Sequence, residues 1–246
     1  MYVQAGCALI FALLISAHAR GETACLDPAS LAHSAVSITR YFEDAERNPQ
    51  SDVVGVRGTA WFQSPTTIVT AAHVASGMKL STQEWKPIRI EDGTDGQSNS
   101  VRIQRVAGSH AEKLAVLELQ TAIPGARSVA IRMLPLIPED QVVTVAYPND
   151  RLHIVVGRFV QYADNGRLAG TALLEIFEGE NRLVIDYGAS GSPVFDCEGR
   201  VAAVISTVIT QTLSTPFGNR RVSTAWGSPN VVSVPIQQLM EFSKAQ

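Results

Sequence analysis

The sequence predicts an all-β protein, and three observations predict it. From Val53 onward, short apolar runs rich in Val, Ile, Thr and Phe alternate with Gly, Pro, Asn and Asp, the pattern of strands broken by turns. Only residues 28–47 and the C-terminal stretch admit a helical reading. At 246 residues the chain can bury a large core, and two units of about 100 residues each fit the usual size of a domain.

The formal charge of −3 and the balanced composition point to neither a nucleic-acid-binding surface nor a disordered acidic tail. Residues 1–19 read as a signal peptide. Ala5 to Ala17 is an apolar run of 13 residues, too short to cross a bilayer, and Ala17-His18-Ala19 is a small-x-small cleavage site. The expected location is therefore secreted or periplasmic. An uncleaved anchor is the competing reading, because Met1-Tyr2-Val3-Gln4 carries no Lys or Arg. Cleavage after Ala19 removes Cys7 and leaves Cys25 and Cys197. An exported chain can join these two, stapling the N-terminal arm to the turn after residue 195, or leave them as free thiols. Three cysteines without a Cys-x-x-Cys pair do not suggest zinc.

Residues 28–47 place Leu31, Val36, Ile38 and Phe42 where either a helix or a strand would use them. Val53–Val56, Gly58–Phe62 and Thr67–Thr70 then read as successive strands, with Gln63-Ser64-Pro65 as a turn. Trp85–Ile90 and Val101–Val106 alternate as strands around the loop Glu91–Gly96. That loop has two Asp-Gly pairs but lacks the EF-hand spacing, so it reads as a solvated turn and not a calcium site. Leu114–Leu119 is a buried strand, and residues 120–140, with Pro124, Gly125, Pro135 and Pro138, read as a connection. Val142–Pro148, Ile154–Val160, Leu173–Phe177 and Leu183–Ile185 follow as strands. Pro193–Phe195 and Val201–Ile205 flank the Asp196–Gly199 turn as a hairpin, Val231–Val234 is the last strand, and Ile236, Leu239 and Met240 share one face of a short terminal helix.

Two segments carry chemistry. Gly188-Ala189-Ser190-Gly191-Ser192-Pro193 sets a serine between glycines, and Thr70-Ala71-Ala72-His73 ends a strand on a histidine. A serine hydroxyl becomes a useful nucleophile when an imidazole takes its proton, and the developing oxyanion needs backbone N–H groups with little bulk around them. A Gly-x-Ser-x-Gly elbow would require glycine where Ser192 stands. Together, and in this order, the two segments resemble those of the trypsin/chymotrypsin superfamily of serine proteases, and the strand pattern of the second half is similar to bacterial HtrA-like trypsin domains. The resemblance covers most of residues 50 to 245 and leaves no room for a PDZ domain.

The resemblance implies two antiparallel six-stranded β-barrels and a short C-terminal helix. Residues 20–125 would hold the N-terminal arm and first barrel with His73, and residues 126–246 the connection, the second barrel with Ser190, and the helix. It implies Ser190 as nucleophile, His73 as general base, and the N–H groups of Gly188 and Ser190 as oxyanion hole. Ala189 replaces the aspartate that receives a newly cut N-terminus in digestive members, and no Ile-Val-Gly-Gly segment precedes His73, so that activation route is not expected. Ser192 matches bacterial glutamyl endopeptidases, yet no histidine follows Ser190 to line an acidic-specific pocket. Asp186 and Val184 are close enough in sequence to reach the wall of the substrate pocket, and side-chain preference stays open.

One position departs from the family. The aspartate that orients the histidine opens the strand corresponding to Leu114–Leu119, and this chain has Lys113 there, a cation that would oppose the imidazolium formed during reaction. Adjacent Glu112 can substitute if the strand start is shifted or bulged, with His110 or a displaced Asp as further candidates. His33 and His153 lie outside the motifs. The expected function is thus an exported trypsin-like serine endopeptidase acting on polypeptides through His73, Ser190 and Glu112, with no cofactor, metal, nucleic acid or, after signal cleavage, membrane as partner. The alternatives are a non-catalytic binding module that lost its third catalytic residue to Lys113, and an esterase using the same pair.

Overall fold

The protein is represented by a computed structural model that describes residues 25–92, 96–108, 111–179, 181–182, 185–215 and 218–240. The leader with its cleavage site, residues 93–95 of the acidic loop, His110, Leu183 and Val184, and residues 241–246 lie outside the described residues.

After a 3₁₀ turn at Pro28–Leu31, the first barrel contains β1 (Ala35–Tyr41), β2 (Gly55–Ser64), β3 (Thr67–Ala71), β4 (Lys86–Glu91), β5 (Gly96–Ala107) and β6 (Leu114–Leu119), with the short helix α1 (Ala72–Gly77) directly after β3. The sheet closes in the order β1-β2-β3-β6-β5-β4. The second barrel is β7 (Gln141–Ala146), β8 (His153–Tyr162), β9 (Ala172–Phe177), β10 (Pro193–Phe195), β11 (Val201–Val208) and β14 (Val231–Pro235), closed in the order β10-β11-β14-β9-β8-β7. All pairings within the barrels are antiparallel, giving the two six-stranded barrels that the family resemblance implies. Between β11 and β14, β12 (Thr210–Thr215) and β13 (Gly218–Ser223) pair only with each other, as a hairpin outside both barrels.

The period-2 alternation of the strands explains how the two barrels associate. On β3, Ile68 faces the first barrel's interior and Val69 faces outward; on β6, Leu117 and Val116 divide in the same way. On β7, Val142 and Ala146 fill the second barrel while Val143 and Val145 face outward. These outward residues form a third core between the barrels, with Trp61, Tyr147, Phe195 and Val204 at its centre. The strands therefore read as nearly continuous apolar runs because both of their faces are buried. Burial pushes the Tyr147 hydroxyl up to about 12, so it remains a neutral donor, and it reaches the Ala35 carbonyl in the other barrel at 3.3 Å.

Several local expectations change. The stretch 28–47 forms β1 between two 3₁₀ turns, because its apolar residues pair with β2 in strand register, Ile38 opposite Gly58. Val53 and Val54 are exposed and lie before β2, which runs unbroken through Gly55–Ser64 instead of dividing in two. Ile185 is outside any strand. The C-terminal helix is a 3₁₀ turn at Ile236–Leu239, with Ile236 and Leu239 buried between the barrels and Met240 beyond its end.

Cys25 and Cys197 are disulfide-bonded with a Cα–Cα distance of 5.3 Å, tying the N-terminal arm to the β10–β11 turn across a sequence separation of 172. Closing so long a loop restricts the unfolded chain strongly. Cys197→Ser is expected to lower the unfolding free energy by about 2–5 kcal/mol, seen as an earlier midpoint in chemical denaturation than that of the wild-type protein, both under non-reducing conditions.

Candidate active site

His73 is the second residue of α1, immediately after β3, so the barrel wall fixes its backbone. The start of the helix is held by the Ala72 N–H, which donates to the Lys113 carbonyl at 2.9 Å. Its end is held by buried Arg40 of β1, whose Nη1 donates to the Met78 carbonyl at 3.0 Å while Nη2 pairs with Glu46 at 2.6 Å. The imidazole is exposed toward a cleft between the barrels. Protein atoms packed behind the ring hold its pKa below the ordinary histidine value, and the negative charge of Glu112 acts in the opposite direction.

Ser190 sits in the irregular segment between Ile185 and Pro193. Gly191 has φ of +94°, and a Cβ there would lie 1.9 Å from the Thr59 carbonyl oxygen, so only glycine lets the nucleophile segment approach β2 this closely. Thr59 joins the barrels: its N–H donates to the Ser190 carbonyl at 2.9 Å and its hydroxyl to the Gly188 carbonyl at 2.8 Å, while accepting from the Tyr147 N–H at 3.1 Å. Thr70, three residues before His73, donates to the Thr59 carbonyl at 2.7 Å. The Ala189 N–H turns back to the Asp186 carbonyl and the Gly191 N–H goes to Ile205, whereas the N–H groups of Gly188 and Ser190 donate to no other described residue. Two such unspent donors, two positions apart beside a serine hydroxyl, can receive a developing oxyanion.

Glu112, His73 and Ser190 line one cleft of about 760 Å³, together with Gly188 and Ser206. The Ser190 hydroxyl donates to the Ser206 carbonyl at 2.9 Å, and the Ser206 hydroxyl donates to the Glu112 carboxylate. His73 hydrogen-bonds to neither Ser190 nor Glu112 in this arrangement. Lys113 is exposed and does not line the cleft; it contributes only its backbone carbonyl to α1. The alternation argument does not apply here because β6 begins at Leu114, leaving Glu112 and Lys113 in the preceding bend, where neighbouring side chains are free to diverge.

The other predicted positions divide clearly. Asp186 and Ile185 line the cleft, and Asp186 pairs with Arg221 of β13 at 3.3 Å. Ser192 is fully buried away from it. His33 and His153 lie elsewhere, near Asp92 and Glu178 at 4.0 and 3.9 Å. Sequence reasoning missed Ser206, Thr59 and Arg40, which act through contacts far apart in the chain. It also missed Arg57, Arg167 and Arg221, which line the cleft from three different elements. Among the described residues, no group of His, Cys, Asp and Glu has a metal-binding arrangement.

The model of a family described as "Trypsin-like peptidase domain" matches residues 58–204, a span that contains His73, Glu112 and Ser190. No curated protein sequence matches the chain. Among solved structures, the active form of the Rv3671c protease from M. tuberculosis aligns with a TM-score of 0.58 at 16% identity, covering 87% of this chain and 80% of that one. An inactive form of the same protease gives 0.57 at 16% identity over 88% and 90%, and its inactive serine-to-alanine mutant from strain H37Rv gives 0.54 at 16% over 88% of each chain. At this identity the likeness concerns the fold.

The Thr59 hydrogen bonds have a measurable consequence. Thr59→Val preserves shape but leaves the Gly188 carbonyl and Tyr147 N–H without their partner. It is expected to lower the unfolding free energy by about 2 kcal/mol, read as a reduced urea midpoint.

Proposed function

The chain belongs to the trypsin-like peptidase domain family, and on that premise we propose that it is an exported serine endopeptidase hydrolysing polypeptide substrates through an acyl-enzyme on Ser190. One observation carries the reading: Glu112, and not Lys113, shares the cleft with His73 and Ser190. The carboxylate that the sequence lacks at the strand start is supplied one residue earlier.

In this mechanism the Ser190 hydroxyl leaves the Ser206 carbonyl and turns toward His73, a rotation about one side-chain bond. Nδ1 or Nε2 of the neutral imidazole accepts the proton as Oγ attacks the peptide carbonyl. The oxyanion forms against the N–H groups of Gly188 and Ser190. Glu112, oriented by the Ser206 hydroxyl, stabilises the imidazolium, which then gives its proton to the leaving amine. Water repeats the sequence on the acyl-enzyme and restores Ser190. The export half of the proposal is supported by the signal-peptide pattern in residues 1–19 and by the Cys25–Cys197 bond, which belongs to an oxidising compartment. The binding-module reading rests on Lys113 displacing the third catalytic group, and the Lys113 side chain does not line the cleft.

A fluorophosphonate probe is expected to label the mature protein, residues 20–246, and both Ser190→Ala and His73→Ala are expected to abolish labelling. Absence of labelling from folded protein would sink the enzyme reading. Glu112→Gln is expected to lower kcat by about 10³–10⁴-fold. Its pH profile provides a separate check, because reaction requires neutral His73. Packing depresses the His73 pKa and Glu112 raises it, so the acid limb of kcat/KM should fall below the usual histidine value of about 6.5 and move to still lower pH in Glu112→Gln. An upward shift in that variant would contradict the assigned role.

A further inference from the structure

The cleft contains more positive charge than the proposed reaction uses. Arg57, Arg167 and Arg221 all line it. Arg57 is neutralised by an ion pair with Asp150. Arg221 is held in place by three contacts: Nη1 lies 3.3 Å from Asp186, Nε donates to the Thr210 hydroxyl at 3.4 Å, and the guanidinium stands 5.4 Å from the centre of the Tyr187 ring. Among the described residues its Nη2 has no partner, and that edge of the fork is available. Arg167, on the 3₁₀ turn Gly166–Leu168, makes no ion pair or hydrogen bond among the described residues. Of the two acids lining the same space, Glu112 is engaged by Ser206 and faces His73, while Asp186 is paired with Arg221.

The walls locate the occupant. Ile185 and Ala189 come from the segment that carries Ser190, and Ile205 and Val208 come from β11 beside it. A side chain entering between these walls belongs to the residue whose carbonyl meets Ser190. It would find apolar contacts for a short aliphatic stem and cations for its end. An arginine planar fork suits a carboxylate, and fixing the fork in advance reduces the ordering cost of binding.

We propose that this cleft selects peptides with glutamate or aspartate on the acyl side of the cleaved bond, Arg221 acting as the oriented carboxylate fork and Arg167 as a second cation. The inference rests on the endopeptidase reading above. It assigns acidic selection to arginines, where the sequence offered only the missing histidine after Ser190. Asp186 is a brace for Arg221, not a receptor for basic side chains.

The test uses peptides identical except at that residue: Glu, its uncharged isostere Gln, and Lys. In the wild-type protein kcat/KM for Glu should exceed that for Gln by about tenfold or more, with a smaller excess at high salt. Arg221→Gln and Arg167→Gln should each reduce the Glu/Gln ratio, and Arg221→Lys should retain part of it. The ratio is taken within each variant, so partial loss of fold lowers both terms and leaves it unchanged. Asp186→Asn should preserve or increase the preference for Glu. Equal turnover of Glu and Gln, or ratios untouched by both arginine substitutions, would overturn the proposal; so would a Lys preference that Asp186→Asn abolishes. In Ser190→Ala protein the same peptides, followed by fluorescence anisotropy, read selection without chemistry, with Glu expected to bind about tenfold more tightly than Gln. A binding preference without turnover would leave acidic selection standing and sink the catalytic reading alone.

Discussion

The site depends on Thr59. His73 belongs to one barrel and Ser190 to the other, so their separation is set by whatever fixes β2 against the Ser190 segment. Thr59 supplies that fixation with a backbone donor to Ser190, a side-chain donor to Gly188 and an acceptor for Tyr147. All three bonds lie beside the buried apolar interface of Trp61, Tyr147, Phe195 and Val204, where a lost partner is costly. The apolar interface supplies adhesion but little directional constraint. The hydrogen bonds convert adhesion into register, and Gly191 allows the strands close enough for them to form.

Electrostatics place a second demand on the cleft. An imidazole that must become cationic is poorly served by nearby arginines, yet three line the same space. Packing lowers the His73 pKa and Glu112 acts in the opposite direction. Two of them are compensated locally, Arg57 by Asp150 and Arg221 by Asp186. Glu112 is held near His73 through Ser206, and Lys113 is turned to solvent. The local pairing of these charges, rather than the cleft's total charge, is what leaves it compatible with base catalysis.

Much of this was legible in the sequence, for identifiable reasons. The strands were visible as apolar runs, and His73 and Ser190 because each sits in a compact local motif. Glu112 is legible as a candidate and Leu114–Leu119 as the strand, but the way the Glu112 and Lys113 side chains diverge just before that strand has no local signature. The division of β2 at Gly58 has a different cause: glycine reads as a breaker, whereas here it allows a close approach between β2 and Val74 of α1. Ser206, Thr59 and Arg40 carried no local signal. Their roles come from partners 94, 129 and 38 residues away, and a lone serine, threonine or arginine in a strand has many ordinary uses. The β12–β13 hairpin was missed because its exposed polar strands lack an apolar face.

That hairpin separates two kinds of constraint. The groups assigned to catalysis lie on or immediately beside barrel strands and are tied to the interface between barrels, so moving them would disturb the fold. Arg221 stands on a hairpin that pairs with neither barrel, and Arg167 on a 3₁₀ turn between β8 and β9. Residues in such positions can change without reopening a core, which is where binding specificity is least costly to alter. The two aspartates that pair with the cleft arginines also lie outside regular strands, Asp150 in a turn with φ of +61° and Asp186 four residues before Ser190. The scaffold thus fixes His73 and Ser190, while the acidic selection proposed above rests on a small set of charged residues on the connecting segments.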